Sequence, residues 1–198
     1  MNAFLFTCYD CLTLFFLAAS CASRGRVAGE PPTGCLLVGL FSACVWPLSR
    51  ELVLHGSPLA LFSTPPLLAA LAMGSLVGTL SSRCLGIFER VVAWMEIIAL
   101  SLAATFGVLC LLPVTSVSGA ILCAFFLSAL PFIFCDVVLG DVARILTESS
   151  RLMRSLLGAV LATAILLFLP DTLPLPSHSI ALGLGVLFPA LMHAIRPR

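Results

Sequence analysis

The chain has 198 residues, of which 61% are hydrophobic and 10% are charged, and its formal net charge is +1. Soluble domains carry about 25% charged residues, so this chain lacks the polar side chains needed to cover a water-exposed surface. The composition excludes an ordinary soluble domain, gives no support to nucleic-acid binding, and predicts an all-α integral membrane protein.

Seven apolar stretches approach the length of about 20 residues that a membrane helix needs. They cover residues 3–22, 34–55, 60–80, 87–112, 116–139, 153–170 and 177–194. Turn-forming residues separate these stretches. The first resembles a signal peptide in its apolar core, but it lacks a positive N-terminal region and Asp10 interrupts the approach to that core. We therefore interpret it as a retained membrane helix within a single membrane domain, 1–198.

The arginines predict the orientation of the helices. Nine of the ten fall on one side of a seven-helix arrangement, and the tenth, Arg50, lies inside the second helix. The nine are Arg24, Arg26, Arg83, Arg90, Arg144, Arg151, Arg154, Arg196 and Arg198. Because basic residues favour the cytoplasmic side, we expect the N-terminus outside and the C-terminus in the cytoplasm. Arg24 is assigned here to the loop after the first helix.

The two halves of the chain match each other at an offset of about 85 residues. LAAS at 17–20 matches LAAT at 102–105, and RELVLHGSPLAL, which starts at Arg50, matches CDVVLGDVARIL, which starts at Cys135. Such self-similarity indicates an internal duplication.

The duplication predicts two repeats of three helices followed by a single seventh helix. The repeats span residues 3–82 and 87–170, and the seventh helix spans 177–194. Because three is an odd number, the second repeat starts on the opposite side of the membrane, so the two repeats are inverted. Inverted repeats are typical of secondary transporters and some channels, whose working site lies at the repeat interface.

Five ionisable residues lie inside predicted helices, where a charge is costly and marks a cavity or a partner. They are Asp10, Arg50, Glu51, Glu96 and Asp136. We expect the first three in the outer half of the membrane and the last two in the inner half. Four carboxylates against one guanidinium favour cations over anions. The alternative is that Arg50 only neutralises itself with Asp10 or Glu51, which leaves Glu96 and Asp136 without a basic residue in the membrane.

Two prolines predict bends close to these charges. Pro47 lies four residues before Glu51 in the second helix, and Pro131 lies five residues before Asp136 in the fifth. Proline inside a helix removes a hydrogen bond and kinks the helix. Freed backbone at membrane depth is tolerated where it lines a cavity, so we expect two bent helices to line one path. The alternative is that both prolines serve helix packing.

Other motifs carry less information. Gly74 and Gly78 form a GxxxG motif on the third helix, which predicts a close helix contact within the chain or between subunits. The nine cysteines lie mostly in apolar stretches, where they act as small buried hydrophobes. Cys8 and Cys11 form a CxxC motif without a second Cys or His pair to complete a metal site, so we expect no metal and no cofactor. No motif for nucleotide or zinc chemistry is present.

The segments around both prolines resemble a bacterial seven-helix membrane protein family with a 3+3+1 inverted repeat. This family is related to the trimeric intracellular cation channels, and its members are often labelled glycine-transporter-like. Its second and fifth helices typically carry a GGGxxRDxxLG motif, where this chain has VWPLSRELVLHG and LPFIFCDVVLGD. Arg50 and Glu51 match the Arg–Asp pair, Asp136 matches the second Asp, and Gly140 the Gly after it. The glycine triplets are replaced, and Cys135 stands at the second arginine, so the chain resembles a divergent member.

The resemblance implies a homotrimer in the bacterial inner (cell) membrane, with a K⁺ or Na⁺ channel-like path between helices two and five of each subunit. An alternative is a carrier for a small zwitterion such as glycine, with Arg50 holding the carboxylate and Glu51 the amine. A second alternative is a membrane scaffold that transports nothing. An enzyme is not expected, because no nucleophile and base are placed together.

Overall fold

The computed structural model describes residues 3–55, 64–80 and 88–140, and residues 153, 156–158, 160–161, 163–165, 180, 183–189 and 191 beyond them. The long described ranges form five α-helices and contain no strand. The helices are α1 (Ala3–Val27), α2 (Pro32–His55), α3 (Pro65–Leu80), α4 (Phe88–Leu111) and α5 (Val117–Val138). The described residues beyond 140 are all helical, and the sixth and seventh predicted helices otherwise lie outside the described part of the chain.

The predicted bounds are confirmed for α2, α4 and α5, each of which begins and ends within two residues of its prediction. The third helix was expected from residue 60, but residues 56–63 lie outside the described ranges and α3 begins at Pro65. Proline suits the first turn of a helix because its missing N–H has no helical partner there.

The first helix is longer than the sequence predicted. α1 runs to Val27 instead of ending at residue 22. It ends where Gly29 adopts a positive φ of 88°. The Gly29 N–H donates to the Arg26 carbonyl at 3.1 Å, and the Glu30 N–H donates to the Gly25 carbonyl at 3.0 Å. These two bonds form a glycine-terminated helix end, the Schellman motif. The helix therefore ends at this glycine and not where the apolar stretch ends, at residue 22.

Four of these helices are long and apolar enough to cross a membrane, by length and composition. They are Phe6–Val27, Pro32–Leu54, Val91–Leu111 and Val117–Val138. Large apolar side chains such as Phe41, Phe126 and Val137 are exposed on the outside of the bundle. An apolar surface of this kind is suited to lipid rather than water, which agrees with an all-helical integral membrane protein.

α1 is the central helix of the described bundle and packs against α2, α3, α4 and α5. Its contact with α3 is made through small residues. A Cβ atom at Gly74 would overlap the carbonyl oxygen of Phe15, and one at Gly78 would overlap that of Ala19. The Ser23 hydroxyl donates to the Gly78 carbonyl at 3.3 Å. The close helix contact predicted from the GxxxG motif is confirmed, and it lies within the chain.

The α1–α3 contact predicts that Gly78→Val destabilises the bundle, because two backbones must separate to admit the new side chain. Overpacking of this kind lowers the free energy of unfolding by about 1–3 kcal/mol. Thermal denaturation in detergent measures the loss. Ala72→Val is the matched control, since Ala72 lies on the exposed face of the same helix. Equal effects of the two substitutions would contradict the role of Gly78.

Candidate functional site

The five ionisable residues predicted inside the membrane are all buried, and a sixth joins them. The six form two clusters. The first cluster is Asp10, Arg50 and Glu51, and the second cluster is Arg24, Glu96 and Asp136. Their exposed fractions range from 2% for Asp136 to 9% for Arg24. A buried charge is tolerated when it is paired and hydrogen-bonded, and each cluster provides such pairing.

In the first cluster, the Arg50 guanidinium binds two carboxylates. Its Nη1 and Nη2 atoms donate to Asp10 Oδ1 and Oδ2 at 2.8 and 2.9 Å. Nη2 also donates to Glu51 Oε1 at 2.9 Å. Two parallel bonds to one carboxylate give both strength and a defined orientation. Arg50 therefore joins α2 to the N-terminal half of α1.

Aromatic rings surround the same guanidinium. Arg50 Cζ lies 4.8 Å from the centroid of the Trp46 ring, 5.5 Å from that of Phe106 and 5.8 Å from that of Phe6. Trp46 and Phe106 have no exposed surface, so these contacts are desolvated, which strengthens a cation–π interaction. The rings hold Arg50 against its carboxylates.

A cavity of about 220 Å³ adjoins the first cluster. The cavity is lined by all three charged residues of the cluster and by Phe6, Thr7, Pro47, Thr64 and Leu67. One of the two predicted helix-breaking prolines therefore lies beside the predicted charges. A cavity of this volume with charged residues in its lining is able to hold water or a small polar solute.

In the second cluster, Arg24 bridges carboxylates from two other helices. Its Nε donates to Glu96 Oε1 at 2.6 Å, and its Nη1 donates to Asp136 Oδ1 at 2.6 Å. The Arg24 Cζ atom lies 4.9 Å from the centroid of the Phe132 ring. One guanidinium thus connects α1, α4 and α5.

The sequence-based assignment of Arg24 to a loop is wrong, and so is the expectation that Glu96 and Asp136 have no basic residue in the membrane. The reason is the additional turn of α1 beyond residue 22. Arg24 follows Asp10 by 14 positions, which is close to four helical turns of 3.6 residues, so the two share one face of α1. That spacing is the signal that was missed. With Arg24 included, these six described residues have a surplus of two negative charges (four carboxylates less two guanidinia) instead of three.

The two clusters lie near opposite ends of the bundle. The 14 positions between Asp10 and Arg24 correspond to roughly 21 Å along the axis of α1. Trp46 lies four residues before Arg50 on α2, and Phe132 lies four residues before Asp136 on α5. Each ring is therefore about one turn nearer the middle of its helix than the charge. Both are fully buried in one apolar core that also includes Leu17. The structure brings the predicted residues together in two groups, and a packed core separates those groups.

The two prolines lie inside helices that continue through them. Pro47 lines the cavity at the first cluster. Pro131 is buried in the core, and its carbonyl accepts a long contact of 4.0 Å from the thiol of Cys21 on α1. Pro47 therefore lies at the first cluster, whereas Pro131 packs against α1 in the core.

The ion pairs of the second cluster predict that Arg24→Met is strongly destabilising. It leaves two buried carboxylates without their guanidinium, and losing one partner of a buried pair lowers the free energy of unfolding by about 3–5 kcal/mol. Thermal denaturation in detergent measures this loss. Neutralising both carboxylates as well, in Arg24→Met/Glu96→Gln/Asp136→Asn, is expected to recover stability. Arg26→Met on the half-buried Arg26 is the control. A triple variant no more stable than Arg24→Met would contradict the pairing.

No protein-family profile matches the chain, and no curated protein matches it. Several solved structures are similar. A TRIC trimeric intracellular cation channel orthologue from Rhodobacter sphaeroides is 21% identical with a TM-score of 0.80, and the match covers 96% of this chain and 95% of that one. A prokaryotic TRIC channel is 16% identical with a TM-score of 0.78, covering 96% of each chain.

A third similar structure comes from work on conductance through TRIC cation channels. It is 18% identical with a TM-score of 0.69, and the match covers 100% of this chain and 97% of that chain. The resemblance predicted from the two proline-containing segments is thereby confirmed at the level of the fold. This divergent chain has the fold of the TRIC trimeric cation channels.

Proposed function

We propose that the protein is a channel-like membrane transport protein for monovalent cations such as K⁺ or Na⁺. Its permeation pathway would run between α2 and α5 and pass both charge clusters. The observation that carries the proposal is the composition of the clusters. Each holds two buried carboxylates against one guanidinium, and one of them borders a cavity. The likeness in fold to cation channels supports the same function.

Electrostatics favours cations at both ends of this pathway. With its side chains ionised, each cluster has a formal charge of −1, from two carboxylates and one guanidinium. Charge–charge interactions are stronger in a low-dielectric interior than in water. Negative side chains along a pore select cations, so two such clusters would act in series on an ion that crosses the bundle.

The packing supports a path between α2 and α5. These two helices contact each other, and they carry the charges Arg50, Glu51 and Asp136 as well as both prolines. The rings of Trp46 and Phe132 fill the core one turn from the charges. Conduction along this path would therefore require these rings to move, so we propose that this conformation is closed.

A carrier for glycine is less well supported by the geometry. Both terminal nitrogens of Arg50 already donate to Asp10, and one of them also donates to Glu51. Among its N–H groups, the buried Nε has no hydrogen-bond partner in the described structure. To form a bidentate pair with Arg50, a substrate carboxylate would have to displace Asp10 or Glu51, which is unfavourable.

Assembly and location follow from the same proposal. The solved structures of similar fold include channels described as trimeric, and we propose a homotrimer for this chain. The distribution of arginines supports an outside N-terminus and a cytoplasmic C-terminus in a bacterial inner membrane. With that orientation, the first cluster and its cavity face the outside and the second cluster faces the cytoplasm.

Flux measurements on purified protein in liposomes test the proposal. The wild-type protein is expected to pass K⁺ or Na⁺ in preference to Cl⁻. Glu51→Gln and Asp136→Asn each reduce a cluster to a formal charge of zero, and the preference for cations should fall by about tenfold, as expected for loss of a focusing charge. Glu30→Gln is the matched control, since Glu30 lies between α1 and α2 outside both clusters.

Other outcomes would identify the alternatives. The absence of ion flux at every voltage and ion composition would overturn the channel proposal. Counterflow of labelled glycine would indicate a carrier, because an open pore shows no counterflow. A scaffold would be indicated if cells that carry the protein with Arg50, Glu51 and Asp136 all neutralised behaved like cells with the wild-type protein.

A further inference from the structure

The two clusters contain the same kinds of group. Each has one carboxylate from α1 or α4 (Asp10 or Glu96) and one from α2 or α5 (Glu51 or Asp136). Each also has a guanidinium stacked over an aromatic ring. The ring is Trp46 in the first cluster, at 4.8 Å, and Phe132 in the second, at 4.9 Å.

The source of the guanidinium differs between the clusters. In the first cluster, Arg50 directly precedes the carboxylate residue Glu51 on the same helix. In the second, the residue that precedes Asp136 is Cys135, which the internal repeat of the sequence aligns with Arg50. The guanidinium comes instead from Arg24, on a different helix.

We infer that Arg24 supplies, from α1, the guanidinium that the second half of the chain lacks at position 135. In doing so Arg24 determines the charge of the second cluster and its cation preference. Three observations carry the inference. Both carboxylates of the cluster bind Arg24, and Arg24 stacks over the Phe132 ring of α5. The third is that Cys135 contacts α1 close to Arg24. Its thiol donates to the carbonyl of Cys21, one turn before Arg24, at 3.7 Å.

The number of guanidinia sets the formal charge of the second cluster, at which residues 24 and 135 are both buried. A second guanidinium here would bring the cluster to a formal charge of zero, since two carboxylates would face two cations. Without Arg24 the formal charge of these residues would be −2, and both carboxylates would lose their bonds to the guanidinium. One arginine leaves −1, the same as in the first cluster.

An arginine exchange tests the inference. Arg24→Cys should lower the melting temperature in detergent by about 10 °C, because two buried carboxylates lose their bonds to the guanidinium. Arg24→Cys/Cys135→Arg returns a guanidinium to the residue before Asp136, and it should regain most of that loss. If Arg24→Cys alone does not fold, recovery of folded protein in the exchange variant is the supporting result.

A matched control moves the arginine to the wrong place on the same helix. Arg24→Cys/Cys123→Arg uses Cys123, a half-buried cysteine that lies 12 positions before Cys135 on α5. It should be no more stable than Arg24→Cys. Arg24→Cys/Cys135→Lys provides a smaller cation in case arginine does not fit. If neither the arginine nor the lysine at position 135 exceeds the control in stability, the inference is overturned.

Flux adds a second readout, which rests on the proposed function. In liposomes, the exchange variant should keep the wild-type preference for K⁺ over Cl⁻. Cys135→Arg alone makes the second cluster neutral and should lower that preference by about tenfold. An unchanged preference in Cys135→Arg would overturn the role of Arg24 in selectivity. If the wild-type protein passes no ions, the channel proposal fails while the melting temperatures still decide the structural part.

Discussion

The pairing of charges along α1 is the constraint on which the rest of the described bundle depends. α1 carries Asp10 near one end and Arg24 near the other, and both are buried in an apolar interior. An ion removed from water without a partner loses several kcal/mol of solvation free energy, so each charge requires a partner from another helix. Asp10 forms an ion pair with Arg50 on α2, and Arg24 forms ion pairs with Glu96 on α4 and Asp136 on α5. Sliding α1 by one turn, about 5.4 Å, would break the pairs at both ends at once. The ion pairs therefore set the register of the central helix.

The other face of α1 is held by close packing. Lipid chains are as apolar as the side chains they contact, so the hydrophobic effect does little to bring helices together within a bilayer. Gly74 and Gly78 allow the backbone of α3 to approach Phe15 and Ala19 directly, and Gly39 on α2 meets Ala18 and Ala22. α1 thus has a small-residue side that contacts α2 and α3 and a charged side that contacts α2, α4 and α5. The apolar residues of α1 are spread around the helix and do not by themselves fix its rotation in the bundle. The division into a small-residue side and a charged side fixes that rotation.

The same residues serve stability and the proposed transport. Arg50 and Arg24 hold helices together, and they also determine the charge at the two ends of the proposed path. The stacking of each guanidinium on Trp46 or Phe132 joins the charged ends to the packed core. An opening motion would have to separate these rings without exposing an unpaired ion. We therefore expect the clusters to move as units with their pairs intact, since an unpaired ion at membrane depth is far more costly than a displaced ring.

The sequence by itself determined the class of the protein, the bounds of α2, α4 and α5, the buried acidic residues and the resemblance in fold. These follow from local properties: a long apolar stretch must be helical in a membrane, and an ionisable residue within it must have a function or a partner.

Only the tertiary structure decided which charges meet. Glu96 and Asp136 lie 72 and 112 positions from Arg24, and no local pattern encodes contacts at such separations. The extra turn of α1 likewise depends on the helix end at Gly29, which hydropathy does not detect. The GxxxG motif predicted a close contact, but its partner was decided by the packing of α3 on α1, because two helices approach closely only where both surfaces permit it.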